Sequence, residues 1–228
     1  MERNECITAC ELSEVENNAV ITFKNDVDLV SCKEMFLDRA NIIRADLSNF
    51  DASKVTLMNS MFKGCSKIET INFGNINTHM VTNMERLCED CTQLKFIDLS
   101  TLDISKVNDI SFIFAGCNNL ENITFRDTPA TLNAMAGPFK KCHKLKSIDI
   151  SIFNTTNVTD MQSVFDGCHS LEYINLGNID TSNVVTMYGM FSECRALTSL
   201  DLSRFQTSKV TTMAWMFNEC WTLTELHV

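Results

Sequence analysis

The chain has 228 residues, 45% of them hydrophobic and 21% charged, with a formal net charge of −10. That balance is too apolar for a disordered chain and ordinary for a folded one. No Lys/Arg cluster of the kind that grips a phosphate backbone is evident, so the acidic charge argues against nucleic acid and anionic membranes as main ligands. No apolar stretch approaches the roughly 20 residues that span a bilayer, and no membrane insertion is expected. Gly and Pro number only 7 and 2, which leaves no flexible linker and predicts one continuous domain.

In chain order, residues 1–34 read as an N-terminal cap and divergent first coil. Within them, residues 1–18 are the cap, Val20–Phe23 adds a strand, and Cys32, Met35 and Phe36 follow a helical register. Met1–Glu5 lacks the basic-then-apolar pattern of a secretory leader. The expectation is an intracellular protein, or one whose leader has been removed.

Residues 35–228 carry a tandem repeat, the feature that decides the fold when present. Cys65, Cys91, Cys117, Cys142, Cys168, Cys194 and Cys220 lie 26 apart, with one step of 25. Three residues before each stands Phe62, Cys88, Phe114, Phe139, Phe165, Phe191 or Phe217. Leu, Ile, Val and Met columns keep the same register. Segments such as Ser147–Ser151 alternate apolar with polar, the mark of a half-buried strand. Segments such as Val158–Phe165 place apolar residues three and four apart, which predicts a short helix. Thr82 with Glu85 and Thr159 with Gln162 fit a capping box, and Gly64, Gly116 and Gly167 fit a left-handed helix stop.

Each unit is therefore expected to run strand, loop, short helix and return. Because no unit buries its apolar face alone, the units must stack. The predicted fold is an α/β, right-handed, leucine-rich-repeat-like solenoid, with one parallel sheet and short helices on the opposite side.

The cysteine column reads as small buried thiols in the core. Parallel equivalent positions do not favour disulfides between coils. Cys88 and Cys91 form a CxxC, but Cys88 occupies the Phe column and no second CxxC completes a zinc site. His143 and His169 follow Cys142 and Cys168, so they can stack one coil apart; as a metal pair without a carboxylate or third ligand they would make a weak site, and solvated surface histidines are the simpler reading. No GxSxG, P-loop, HExxH or dinucleotide turn is present. No catalytic, cofactor-binding or metal-binding residues are assigned.

The outward face of the sheet is the expected contact surface for a protein partner. Asp46, Asn72, Asp98, Thr124, Asp149, Asn175 and Asp201 form one column in which charged and neutral residues alternate. Adjacent carboxylates would repel, so the alternation spaces them. The resulting strip is acidic and expected to be concave. Phe96 and Tyr173, two residues before column members, also point outward, as befits binding hot spots. Together with Arg126, these residues make the candidate interface: Phe96, Asp98, Thr124, Arg126, Asp149, Tyr173, Asn175 and Asp201.

The Arg126–Phe139 segment is one residue short and holds both prolines. Pro138 falls where other repeats place an apolar helix residue, so a distorted loop is expected there. The last coil holds both tryptophans. Its exposed cross-section and open strand edge suggest self-association through Trp215, Trp221, Leu223 and Val228. Trp221 folding over the end as a cap is the simpler alternative.

Stretches such as Ile179–Val184, Leu200–Phe205 and Met187–Cys194 closely resemble the BspA-like leucine-rich repeats, the 26-residue repeat of bacterial surface proteins. The resemblance runs from about residue 32 to residue 228. It implies a non-enzymatic binding scaffold of the adhesin or host-interaction kind, with a cell-surface or secreted location. Its motif consists of core positions and transfers no catalytic residue. Unpaired thiols persist most easily in a reducing compartment, which supports an intracellular interaction or effector protein as the alternative.

Overall fold

The repeat closes into coils because its apolar columns have nowhere else to go. In the computed structural model, which describes residues 10–15, 18–23 and 29–228, these columns form one core. Phe62, Phe114, Phe139, Phe165 and Phe191 are fully buried. From Phe114 onward their rings stack coil upon coil, with centroids 5.6 to 6.4 Å apart. Cys88 takes the Phe place in the third coil and is also fully buried.

Strands β1 (Cys10–Val15) and β2 (Asn18–Phe23) form an antiparallel hairpin. The expected Val20–Phe23 strand lies within β2. The cap expected over residues 1–18 falls mostly outside the described residues. The coils begin at Ser31, which bridges Leu57 in parallel. One short strand per coil follows: β3 (Arg44–Asp46), β4 (Thr70–Asn72), β5 (Phe96–Leu99), β6 (Asn122–Phe125), β8 (Ser147–Asp149), β10 (Tyr173–Asn175), β11 (Ser199–Asp201) and β12 (Glu225–His227). Two shorter strands, β7 (Ala130–Thr131) and β9 (Phe153–Asn154), pair with each other.

The strands do not join into one continuous sheet. They bond in twos: β3 with β4, β5 with β6, β8 with β10, and β11 with β12. Between these pairs lie seams without a hydrogen-bond ladder.

The expected helices are absent: the described residues contain no helix. Where each was expected, the chain makes a run of tight turns. In the second coil the amides of Met61, Lys63 and Cys65 donate to the carbonyls of Met58, Ser60 and Phe62, three residues back. The alternate amides of Met58, Ser60, Phe62 and Gly64 leave the coil. They donate to Asn83, Glu85, Leu87 and Glu89 of the next one, at 2.8 to 3.0 Å.

The physical reason is spacing. Hydrogen-bonded strands repeat every ~4.8 Å, whereas packed helices need about 8–10 Å between axes. Turns that bond directly to the next coil keep the strand spacing on both sides. Successive turns still bury residues three and four apart, which is why the sequence periodicity looked helical.

The capping boxes are corrected with the helices. The Glu85 and Gln162 amides take hydrogen bonds to the side chains of Asn83 and Asp160 instead. Thr82 uses its amide and hydroxyl on the Thr56 carbonyl of the preceding coil. Gly64, Gly116 and Gly167 are left-handed, as expected, with φ of 73°, 75° and 77°, but they end turns.

Pro138 is likewise accommodated. Its position in other coils donates only to a local turn, and its carbonyl still accepts the Phe114 amide at 3.0 Å. The lost residue is absorbed earlier, over residues 126–134. There the amides of Asn133 and Ala134 both turn to the Asn108 carbonyl, and β7 pairs with β9.

Candidate functional site

Strand geometry lifts every second side chain out of the coil. Phe96 and Tyr173 are about 60% and 62% exposed on β5 and β10, more than most large apolar side chains here. Asp46, Asn72, Asp98, Thr124, Asp149 and Asp201 face outward beside them, and Asn175 is half buried. Arg126 is exposed just beyond β6, at a place where other coils hold Ser or Gly.

The alternation of acid and neutral residues follows the strand pairs. Within β3–β4 the Asn72 amide donates to Asp46 at 3.1 Å, and within β8–β10 Asn175 donates to Asp149 at 2.9 Å. Each Asp also accepts the backbone amide of a serine two residues on, as Asp98 does from Ser100 at 2.9 Å and Asp201 from Ser203 at 2.9 Å. These bonds hold the Asp46, Asp98 and Asp201 carboxyls below the ordinary range, the serine contacts being the largest cause. The column thus lies at or next to the end of each strand and leaves an outer carboxylate edge to solvent.

The candidate residues do not form one patch, because the seams divide them. Phe96, Asp98, Thr124 and Arg126 belong to the β5–β6 pair. Tyr173, Asn175 and Asp201 meet at the seam between β10 and β11, where the missing ladder leaves a cleft of about 450 Å³. Arg204, Phe205 and His227 also line it. Arg204 and Phe205 entered the sequence analysis only as part of the repeat pattern, and His227 continues the Asp46–Asp201 column one coil further, opposite Asp201; the signal for His227 was therefore the column itself. Among the described residues no cluster of three or more His, Cys, Asp or Glu is placed to hold a metal ion.

On the last coil, Trp215 lines a shallow hollow with Met213 and Phe217. Trp221 does not fold across the end. It stands 71% exposed, with the Arg195 guanidinium 4.8 Å over its ring. Leu223 is partly buried, and Val228 is exposed at the edge.

The thiol column has a role beyond filling space. Each thiol from Cys65 to Cys220 donates to a carbonyl of the preceding coil: Cys65 to Phe36, Cys91 to Phe62, Cys117 to Cys88, and so on, at 3.0 to 3.3 Å. Burial pushes the Cys65 thiol up to about 12 and raises those of Cys117, Cys142, Cys168 and Cys194 as well. They remain protonated donors, not nucleophiles.

Stacked parallel strands, one per 26-residue coil around a single apolar core, define a solenoid of the leucine-rich-repeat kind. The chain belongs to the family described as "Mycoplasma protein of unknown function, DUF285", whose profile matches residues 30–146 and 133–226, a BspA-like repeat family. Among solved structures it is similar in fold to the T. pallidum leucine-rich repeat protein, with a TM-score of 0.56 and 15% identity, over 83% of this chain and 88% of that one. A leucine-rich cell surface protein from Faecalibacterium prausnitzii aligns over 96% of this chain and 86% of that one, with 14% identity and a TM-score of 0.38. A search of curated proteins finds no match.

Proposed function

We propose that this chain is a non-enzymatic protein-binding scaffold whose outward strand face is the contact surface. The observation that carries the reading is the pair Phe96 and Tyr173: two large rings left in solvent on the strand face, while Phe62, Phe114, Phe139, Phe165 and Phe191 are fully buried beneath the turns. Tyr173 stands at the rim of a cleft with hydrogen-bonding groups on both walls, the mixture that favours a protein contact. Family membership supports an adhesin or host-interaction role. An intracellular interaction protein is the alternative, favoured by the ladder of protonated thiols.

A photo-crosslinking residue placed at Phe96 or Tyr173 should give a discrete adduct in native cells, competed away by unlabelled protein. The same residue at Lys63, on the turn side, should not. Equal labelling from both sides would remove the strand face from consideration. Fractionation with protease treatment of intact cells separates the two compartments: cleavage at the envelope supports the adhesin, and protection supports the intracellular protein.

A second reading, self-association through the last coil, rests on its backbone. The amides of Met187, Gly189 and Phe191 donate to Thr212, Ala214 and Met216. Those of Met213, Trp215 and Phe217 face outward in the same way and meet no further coil among the described residues. A second copy could satisfy these donors and cover Trp215, Trp221, Leu223 and Val228. Changing Trp215 and Trp221 to Ser should then lower the mass measured by sedimentation. A wild-type chain that is already monomeric rules this reading out.

A further inference from the structure

One coil reverses the charge of the molecule. At the residue before the repeat cysteine, whose place Arg39 takes in the first coil, the first, third, seventh and eighth coils carry Asp38, Asp90, Glu193 and Glu219, and the others Gly, except the fifth, which carries Lys141. At the residue after the cysteine, the first four coils carry uncharged side chains, and then His143, His169 and Arg195 follow. Lys144 adds a further exposed cation beside His143.

The geometry makes these a surface. Lys141 is exposed, and the equivalent residues of both neighbouring coils are Gly116 and Gly167, so no side chain stands beside it in that column. The Lys141 backbone is only 3.3 Å from where a Gly167 Cβ would lie. The His143 and His169 rings stack face to face, with centroids 4.3 Å apart and planes at 2°. Neither Lys141 nor Lys144 makes an ion pair among the described residues, whereas Lys140 is held by Asp166 at 3.1 Å.

We infer that Lys141, His143, Lys144 and His169 form a binding stripe for a short carboxylate-rich segment of a protein partner. It lies on the turn rim and is distinct from the strand face proposed above. Its shape selects that partner. From Lys141 to Lys144 the chain reaches no more than about 11 Å, and acids bound the stripe: Asp166 and Glu172 on the next coil and Glu121 on the preceding one. A planar anionic membrane would press its headgroups on those acids as well. An extended acidic peptide can follow the stripe and avoid them.

Acid should strengthen the contact, because the His143 imidazole gains charge as pH falls, below its ordinary range. The groups facing it set the response. Burial, then His169 and Lys141, hold His143 below its ordinary range, opposed by Glu193. His169 meets Glu193 at 3.0 Å, and Arg195 meets the same carboxylate at 2.7 Å and Glu219 at 2.6 Å. An arriving row of carboxylates supplies the counter-charge that His143 lacks.

The test uses the full chain and a fluorescent peptide of eight glutamates, with eight glutamines as control, followed by anisotropy at pH 7.5 and 5.5. Glutamate, with an ordinary pKa of about 4.3, keeps most of its charge at both values, and any loss at pH 5.5 would work against the expected gain. Binding should be about tenfold tighter at pH 5.5, a gain of about 1.4 kcal/mol, and should weaken with salt. K141Q/K144Q should weaken it about tenfold at both values, while K106Q/K209Q, of equal charge change, should not. H143Q should keep the pH 7.5 affinity and lose the acid gain. Equal binding of the glutamine peptide, or indifference to K141Q/K144Q, overturns the proposal. So does lysine-dependent binding to phosphatidylserine vesicles without peptide binding, which would make the stripe a membrane contact.

Discussion

The two sides of the solenoid are built from the same repeat and held together differently. On the turn side, amides cross from coil to coil along the whole stack, and the thiol and Phe columns lie directly beneath. On the strand side, coils bond only in twos, and seams fall between β4 and β5, β6 and β8, and β10 and β11. The difference assigns the labour. Continuous bonding on one side carries the stability, so the other side can open at intervals and present Phe96, Tyr173 and the β10–β11 cleft.

The sharpest way to break this comparison is to truncate one ring on each side. Phe139→Ala removes a fully buried ring stacked between Phe114 and Phe165 and should cost about 3–5 kcal/mol in urea unfolding. Phe96→Ala should cost less than ~0.5 kcal/mol, as surface changes do, and should act on binding alone. Comparable losses from the two variants would refute the division.

Glycines sharpen it further. Gly177→Ala puts a Cβ within 2.6 Å of the Ser151 backbone at φ +58°, just beyond the β8–β10 pair. Gly189→Ala has the same φ but nothing nearer than 3.7 Å, and its column already accepts left-handed Ser60 and Arg86. The first should cost about 2–4 kcal/mol, from strain plus collision, and the second about 1 kcal/mol. Equal shifts in thermal unfolding would mean that the strand pair is not tightly packed.

Smaller effects probe the thiol ladder. Cys117→Ala should cost about 1–2 kcal/mol, the sum of one hydrogen bond and a small void. The ladder also sets an alkaline limit. A thiol such as Cys65 binds its proton more tightly folded than unfolded, so its contribution is whole below the ordinary thiol pKa of 9.0 and is lost as pH rises toward about 12. The urea midpoint should fall across that window, and it should fall less in Cys65→Ala.

Much of this was legible in the residues themselves. The 26-residue columns gave the coil, its core and the outward strand positions, because burial repeats with the chain. The alternation Asp46, Asn72, Asp98, Thr124 was visible too. Repulsion explains it only in part: the larger reason is that Asn72 and Asn175 serve their partner aspartates across a strand pair. Gly64, Gly116 and Gly167 mark the same two-coil period, since the side chains of Asp38 and Asp90 fill the space beside Gly64 and Gly116. The basic run Lys140, Lys141, Lys144 and Lys146 is equally readable and corrects the expectation that no Lys/Arg cluster exists; the net charge of −10 averages over it.

What the sequence determined by itself is the repeat and everything that follows from stacking it: which columns are buried, which face outward and where the register slips. What the tertiary structure alone decided is how each coil returns and how it bonds to its neighbour. Apolar residues three and four apart suit a helix and a run of tight turns equally well. The choice is made by the ~4.8 Å spacing that the paired strands impose on the whole stack, which turns can match and helices cannot.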